Sequence, residues 1–273
     1  MRAAPDPLGV FDLHIHSNRS DGRFDPVDVL ERAAAGGLGT IALTEHDLVG
    51  SLDPGVHQVG SRRVHVISGA EVSGMHDGSE HHLLVYFPGE APAGFRDFCA
   101  AQVARRVERY EQAVQRIGLP GIAPPSELAR RGEMSLTRHH LARALIEVGH
   151  AKNLNDAFAK YASHGYVPRI EMPFTECIRI ARSWGGTCSW AHPRIDALQK
   201  HLPVFVEAGL QGLEGLRPGL RRTDKNTVRK AAKRHGLYLS GGSDWHGWHD
   251  SNNLGLYRLT GHQVRGFLDA LAA

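Results

Sequence analysis

The stretch Val10-Phe11-Asp12-Leu13-His14-Ile15-His16 decides the reading of this chain. It is an apolar run of strand length that ends in two histidines two residues apart. Strand side chains alternate with period two, so both imidazoles point to one face. Ser20-Asp21-Gly22 follows in the loop. Five further elements place an acid or an imidazole at or near one end. The strand Thr40–Thr44 runs into Glu45-His46-Asp47. The strand Val64–Gly69 continues to Ala70-Glu71. The strand Leu83–Phe87 is preceded by His81-His82. Thr187–Ala191 leads to His192-Pro193. Leu237–Ser240 leads to Gly242-Ser243-Asp244-Trp245-His246.

Helical patterns separate most of these strands. Asp25-Pro26 is an N-cap followed by proline at the first helical position, and that helix runs to Gly36-Gly37. Later helices are expected over Thr175–Trp184, Leu198–Ala208, Asp224–His235 and Gln263–Leu271, with a short strand at Gly212-Leu213-Glu214. Between Arg96 and about Tyr161 the chain reads as all helix. Val103, Val107, Tyr110, Val114 and Ile117 recur at helical spacing there. Ser126 caps a short helix, and two more are marked by Leu141, Leu145 and Val148 and by Leu154, Phe158 and Tyr161.

Strands alternating with helices argue a parallel sheet. An open doubly wound sheet satisfies that alternation. Six elements delivering metal-ligating side chains to one place favour a closed α/β barrel, whose strand ends converge on one face. The expected organisation is a discontinuous barrel over 1–95 and 173–273, with a helical insertion domain over 96–172.

The chain has 273 residues, 41% hydrophobic and 22% charged, ordinary for a globular protein. A net charge of +3 is too mild to argue a nucleic-acid or membrane-surface protein. No membrane association and no stable duplex-DNA binding are expected. The start, Met1-Arg2-Ala3-Ala4-Pro5-Asp6-Pro7, lacks the apolar stretch of a signal peptide. Cys99, Cys177 and Cys188 are odd in number and form no C-x-x-C pair, so a reducing cytoplasm is expected.

The composition has one anomaly, 18 histidines. His14, His16, Asp21, His46, Glu71, His82, His192, Asp244 and His246 are the candidate metal ligands, with His81 the nearest competitor of His82. Asp12 and Glu45 flank ligands and are candidates to orient an imidazole by hydrogen bonding. His57, His65, His76, His150, His201, His235, His249 and His262 read as ordinary surface or core residues. Nine ligands exceed the needs of one ion. Imidazoles and carboxylates without thiolate suit Zn, Mn or Fe and argue against a closed structural zinc site. Glu71 is a natural bridge, having two oxygens to share. Two or three clustered ions activate a bound water and clamp an in-line displacement. That chemistry is phosphoester or amide hydrolysis by a metal-bound water, with no protein nucleophile. Neither a G-x-S-x-G elbow nor a P-loop is present.

In these motifs the sequence resembles the PHP family, the polymerase and histidinol phosphatase superfamily. The matching residues are Asp12-Leu13-His14-Ile15-His16-Ser17, Ser20-Asp21-Gly22, Thr44-Glu45-His46-Asp47, Gly69-Ala70-Glu71, His82-Leu83-Leu84, Ala191-His192-Pro193 and Gly242-Ser243-Asp244-Trp245-His246. The resemblance implies a distorted (β/α)7 TIM-like barrel with a trinuclear metal centre. It implies one ion on His14, His16, Glu71 and Asp244, a second on Asp21, His46 and His246, and a third on Glu71, His82 and His192.

Thr137-Arg138-His139-His140-Leu141-Ala142-Arg143, Ala151-Lys152-Asn153 and Gly165-Tyr166-Val167-Pro168 resemble one bacterial branch of that family. Its members hydrolyse 3′,5′-nucleotide bisphosphates or trim the 5′ ends of short RNA. By that resemblance Arg138 binds substrate phosphate, as bidentate guanidinium pairing allows. The branch has a Lys-containing stretch where this chain has Tyr161-Ala162-Ser163-His164. It has Ser and His residues where this chain reads Gly215-Leu216-Arg217-Pro218-Gly219-Leu220-Arg221-Arg222. Arg217 and Arg194 are candidate replacements, and His140 a candidate helper. The expected activity is a metal-dependent phosphoesterase acting on a small phosphorylated substrate, a nucleotide bisphosphate or short 5′-phosphorylated RNA. Its alternatives are a histidinol-phosphate phosphatase and a non-catalytic polymerase-type module.

Overall fold

The computed structural model describes residues 9–162, 165–248 and 253–273. The N-terminal Met1–Pro7 segment, Ser163-His164 and His249, singled out in the sequence, lie outside the described residues. The first strand is β1 (Val10–Ile15), followed by α1 (Pro26–Ala35) and β2 (Thr40–Leu43). The Asp25 side chain accepts the Val27 N–H at the start of α1, so the Asp-Pro signal acts as expected. Next come β3 (Gly55–Val59), β4 (Arg62–His76) and β5 (Ser79–Phe87). Four helices then run without an intervening strand: α2 (Ala93–Ile117), α3 (Glu127–Arg130), α4 (Arg138–Glu147) and α5 (Leu154–Lys160). The alternation resumes with α6 (Phe174–Ser183), β6 (Thr187–Trp190), α7 (Ile195–Glu207), β7 (Gly212–Leu216), α8 (Arg222–His235) and β8 (Tyr238–Gly241). A short β9 (Leu259–Thr260) and α9 (Arg265–Ala272) complete it.

The strands form one sheet in the order β8-β7-β6-β5-β4-β2-β1-β9, with β3 on β4. The loop after β8 closes the barrel on β1. The Asp244 N–H donates to the His14 carbonyl and the His16 N–H to the Trp245 carbonyl, each at 2.9 Å. Gly242 makes this approach feasible, because a Cβ there would stand 2.4 Å from the His14 backbone nitrogen.

The sheet is mixed, which corrects the parallel expectation. β1, β2 and β4 pair in parallel, as do β6, β7 and β8, but β5 runs antiparallel between β4 and β6. The cause is a hairpin. Asp77 and Gly78 have φ of 48° and 72°, the left-handed pair that a two-residue turn needs. β4 and β5 accordingly reach well beyond the expected Val64–Gly69 and Leu83–Phe87. β3 and β9 have no periodic signal long enough to announce them. β5's antiparallel run also corrects where His82 was placed. It starts, rather than ends, at the barrel face where its parallel neighbours end.

Apolar side chains fill the space between sheet and helices. One group joins Val72, Leu83, Val85 and Trp190 to Phe174, Ile178, Leu198 and Phe205 of α6 and α7. Another packs Ile15, Ile41 and Val66 on Val29 and Leu30 of α1. The helices after β5 have a core of their own, built on Tyr110, Ala113, Leu136, Leu141, Leu145 and Val167. α2 belongs to both regions: Phe95 and Cys99 near its start pack on the barrel. All three cysteines are free and buried. No described helix is long and apolar enough to cross a membrane.

Candidate metal centre

Each ligand candidate reaches the barrel mouth on a strand end or the loop after it. His14 and His16 alternate with Leu13 and Ile15 on β1 and are fully buried. Glu71 sits inside β4, 1% exposed, and its backbone N–H donates to the Glu45 carbonyl. The Asp47 N–H donates to the Glu71 carbonyl, and together these bonds bring the loop after β2 against β4. Asp47, His192 and Asp244 have φ of 54°, 29° and 55°, unusual for residues with a Cβ. Such conformations persist where the surroundings over-determine them, commonly at functional sites.

Glu71 is the hub. Its Oε1 lies 2.9 Å from His192 Nε2, 3.0 Å from His82 Nδ1 and 3.5 Å from His14 Nε2. Its Oε2 lies 3.0 Å from His46 Nδ1 and 3.4 Å from His16 Nε2. Asp244 Oδ1 lies 3.4 Å from His14 Nε2 and 3.3 Å from His16 Nε2. Asp21 lies 3.3 Å from His246 Nε2 and 3.6 Å from His46 Nε2 through its two oxygens. All nine candidates therefore converge.

Three ligand sets have donor atoms close enough to share an ion: His14, His16 and Glu71; His16, Asp21, His46 and His246; His46, Glu71 and His82. His16 and His46 each belong to two sets, so this grouping differs from the one-ion assignments that the family resemblance implies.

The donors fit cations better than they fit one another. His14 Nδ1 lies 2.8 Å from Glu214 Oε1, so its proton sits there and Nε2 carries a lone pair. His16 Nδ1 lies 3.3 Å from Ser20 Oγ, whose own proton goes to Glu45. His16 Nε2 is thereby left with a lone pair too. These two nitrogens are 3.1 Å apart. Two facing lone pairs at that distance repel unless a cation lies between or beside them. His46 Nδ1 and Asp21 Oδ1 are buried and lack hydrogen-bond partners among the described residues.

The electrostatics show the same concentration of charge. Burial would raise the Glu71 carboxyl, but the imidazoles of His82, His46 and His14 outweigh it and hold it well below the ordinary range. Asp21 is likewise held low against burial by His46, His246 and His16. Burial pushes His46 down to about 3 despite Asp21 and Glu71. His82 goes up to about 10, because Glu71 and Glu80 overcome burial. His246 goes up to about 9 against burial, through Asp21 and Asp244.

Supporting residues divide into expected and missed. The Glu45 carboxylate accepts from the Ser17 N–H and hydroxyl and from the Ser20 hydroxyl, so it steers His16 through Ser20. Asp12 differs from expectation. It accepts the backbone N–H groups of Ser243 at 2.8 Å and His14 at 3.4 Å, so it holds the barrel closure rather than an imidazole. Glu214 was missed, although it ends a strand as the expected ligands do. Glu80, 3.3 Å from His82 Nε2, was also missed, although its offset of two from His82 puts both on one strand face. Arg106 reaches from α2 to Asp47 Oδ2 at 2.6 Å and to Ser73 Oγ at 2.8 Å. Nothing in the local pattern of α2 separates this buried arginine from its solvated neighbours.

A cavity of about 660 Å³ opens over the cluster, lined by Asp21, His46, His82, Asp244 and His246 together with Arg109, Arg138, His139, Arg143 and Trp248. Arg138 thus stands in the same cavity as the ligands. His140 does not line it: its Nδ1 accepts the Thr137 N–H at 3.0 Å and caps α4. Arg194 is exposed and pairs with Asp196 at 2.8 Å. Arg217 is half-buried, and its Nε has no hydrogen-bond partner among the described residues.

A nearly closed α/β barrel whose mouth gathers buried imidazoles and carboxylates from every strand end defines the class. Residues 12–100 match the PHP domain model. The chain is 32% identical over 248 residues to the 3′,5′-nucleoside bisphosphate phosphatase of Chromobacterium violaceum, covering 86% of each. It is 30% identical over 252 residues to the 5′-3′ exoribonuclease Rnm of Salmonella typhimurium, covering 87% of this chain and 85% of that one. A solved structure from Bifidobacterium adolescentis superposes with a TM-score of 0.76 at 24% identity, over 95% of this chain and 96% of that one. This chain belongs to the PHP family.

Proposed function

We propose that the protein is a metal-dependent phosphoesterase that hydrolyses a small phosphorylated substrate, most readily a nucleotide bisphosphate or a short 5′-phosphorylated RNA. The observation that carries this reading is the convergence of nine buried or half-buried ligands on Glu71, with lone pairs of His14 and His16 facing one another at 3.1 Å. The names of the relatives, a bisphosphate phosphatase and an exoribonuclease, support the nucleotide class.

In this reading His14, His16, Asp21, His46, Glu71, His82, His192, Asp244 and His246 hold two or three Mn, Fe or Zn ions. When bound, these ions supply Lewis-acid charge and an activated water for in-line attack at phosphorus. Glu214 fixes His14 with its Nε2 free to ligate, and Glu45 fixes His16 through Ser20. Glu71 gives one oxygen to the His82 and His192 side and the other to the His46 side, which keeps the two sides in register. The fully buried floor excludes bulk water, while Asp21, Asp244 and His246 at the half-open mouth leave the scissile group an approach.

Residues 96–172 act as a helical insertion overhanging the mouth. From it Arg138 binds a phosphate that is not being cleaved. Such remote binding orients the reacting group, so it supports turnover as well as affinity. Arg194 and Arg217 remain accessory phosphate ligands in this proposal, and His140 acts by capping the helix that presents Arg138.

The test is phosphate release from nucleoside 3′,5′-bisphosphates, nucleoside monophosphates, histidinol phosphate and short 5′-phosphorylated RNA, each with Mn, Mg and Zn. Turnover fastest on the bisphosphate or RNA is expected. Preference for histidinol phosphate, or no turnover with any metal, overturns the reading.

A further inference from the structure

The outer face of the β4–β5 hairpin carries a second histidine group that the proposed reaction leaves unused. His76 ends β4, His81 lies beside it on β5, and His201 reaches both from α7. Ring centroids are 4.9 Å apart for His76 and His201, 5.6 Å for His81 and His201, and 6.3 Å for His76 and His81. Neighbouring imidazoles of the candidate metal centre are spaced from 4.3 Å to 5.8 Å. A nitrogen bound at about 2.1 Å puts each ring centre about 3.2 Å from the ion, so two rings sharing one ion stand about 4.5 to 6.4 Å apart. All three separations fall within that span.

His81 is 8% exposed, and its Nε2 is buried with no hydrogen-bond partner among the described residues. Buried imidazole nitrogens are ordinarily satisfied, so an orphan asks for a partner. His81 and His201 line a cavity of about 590 Å³, which gives an ion an entry path. Rotation of the rings about Cβ–Cγ, a broad torsion, brings their nitrogens toward a common point.

We propose that His76, His81 and His201 form a separate site for one divalent transition ion, completed by water. Three imidazoles without carboxylate suit Zn, Ni or Cu rather than Mg or Ca. An ion there ties α7 to the hairpin that carries Glu71, Glu80 and His82, and so braces one wall of the catalytic mouth from outside. The competing account is packing alone, since Phe205 lies 5.0 Å from His76, 5.5 Å from His81 and 6.0 Å from His201.

Calorimetric titration of zinc into the metal-stripped full chain tests this beside His201→Gln and His76→Gln, neither of which touches the proposed catalytic ligands. Both variants are expected to bind one zinc equivalent fewer than the parent and to gain less melting temperature on zinc addition. Unchanged stoichiometry and affinity in both variants overturn the proposal and leave the rings as packing.

Discussion

Glu214 and His14, 200 residues apart in the chain, meet at 2.8 Å inside the barrel. The other Glu214 oxygen accepts the His192 backbone N–H at 2.6 Å, so one buried carboxylate positions ligands from β1 and from the loop after β6. Carboxylate–imidazole partners of this kind set the tautomer and strengthen a metal ligand. Glu214→Gln is therefore expected to weaken metal affinity by about ten- to a hundredfold while leaving the chain folded. Competition with a graded chelator measures it, and equal affinities would refute the role.

His14→Ala and Asp244→Asn should each abolish phosphoester hydrolysis. The apolar core does not depend on either side chain, so far-UV circular dichroism should stay unchanged. Some melting temperature linked to bound metal should disappear. Near-normal turnover in either variant would mean that the ligand set is wrongly drawn.

Arg138→Ala is predicted to cut kcat/KM by about ten- to a hundredfold on a nucleoside bisphosphate, since one charged hydrogen bond is worth roughly 1.5–3 kcal/mol. An aryl phosphate, with no second phosphate to hold, should be affected far less. Equal losses on the two substrates would place Arg138 at the scissile phosphate instead.

Arg106 and Asp47 are 5% and 2% exposed, and their ion pair links α2 to the loop after β2. Arg106→Met strands the Asp47 carboxylate in the interior. A loss of about 3–5 kcal/mol in urea unfolding is expected, because removing one partner of a buried pair leaves an uncompensated charge. The double variant with Asp47→Asn should recover part of it. No recovery would show that the damage comes from lost packing.

The pH dependence should change sign with metal. Without metal, the lowered carboxyls of Asp21 and Glu71 stabilise above their ordinary range and lose that contribution on acidification. His82, up at about 10, and His246, up at about 9, contribute fully below their ordinary value of 6.5, and lose this as pH rises through 9 to 10. The cluster should therefore stabilise the chelated protein most between about pH 4 and 6.5. Bound metal requires deprotonated imidazoles, so the melting-temperature gain on adding Mn should grow from about pH 6 to 8. Paired melts with Mn and with chelator check both trends, and a gain that shrinks with pH would exclude imidazole ligation.

The sequence by itself determined the α/β class, the run of helices after β5, and the convergence of the nine candidates. Those features are local: period-two placement of His14 and His16, the Asp25-Pro26 start, and acids or imidazoles at strand ends. It also contained Asp77-Gly78, a hairpin signal whose reading would have given the antiparallel β5. Only the tertiary structure decided the rest. Glu214 becomes the partner of His14 because the barrel brings two distant strands together, and Asp12 serves the backbone because β8 closes on β1 at Gly242. Arg106 looks like any helical arginine until α2 lies against Asp47. His76, His81 and His201 read as ordinary histidines until the hairpin and α7 bring their rings to ligand spacing. In each case the deciding quantity is a distance between residues far apart in sequence, which no local pattern encodes.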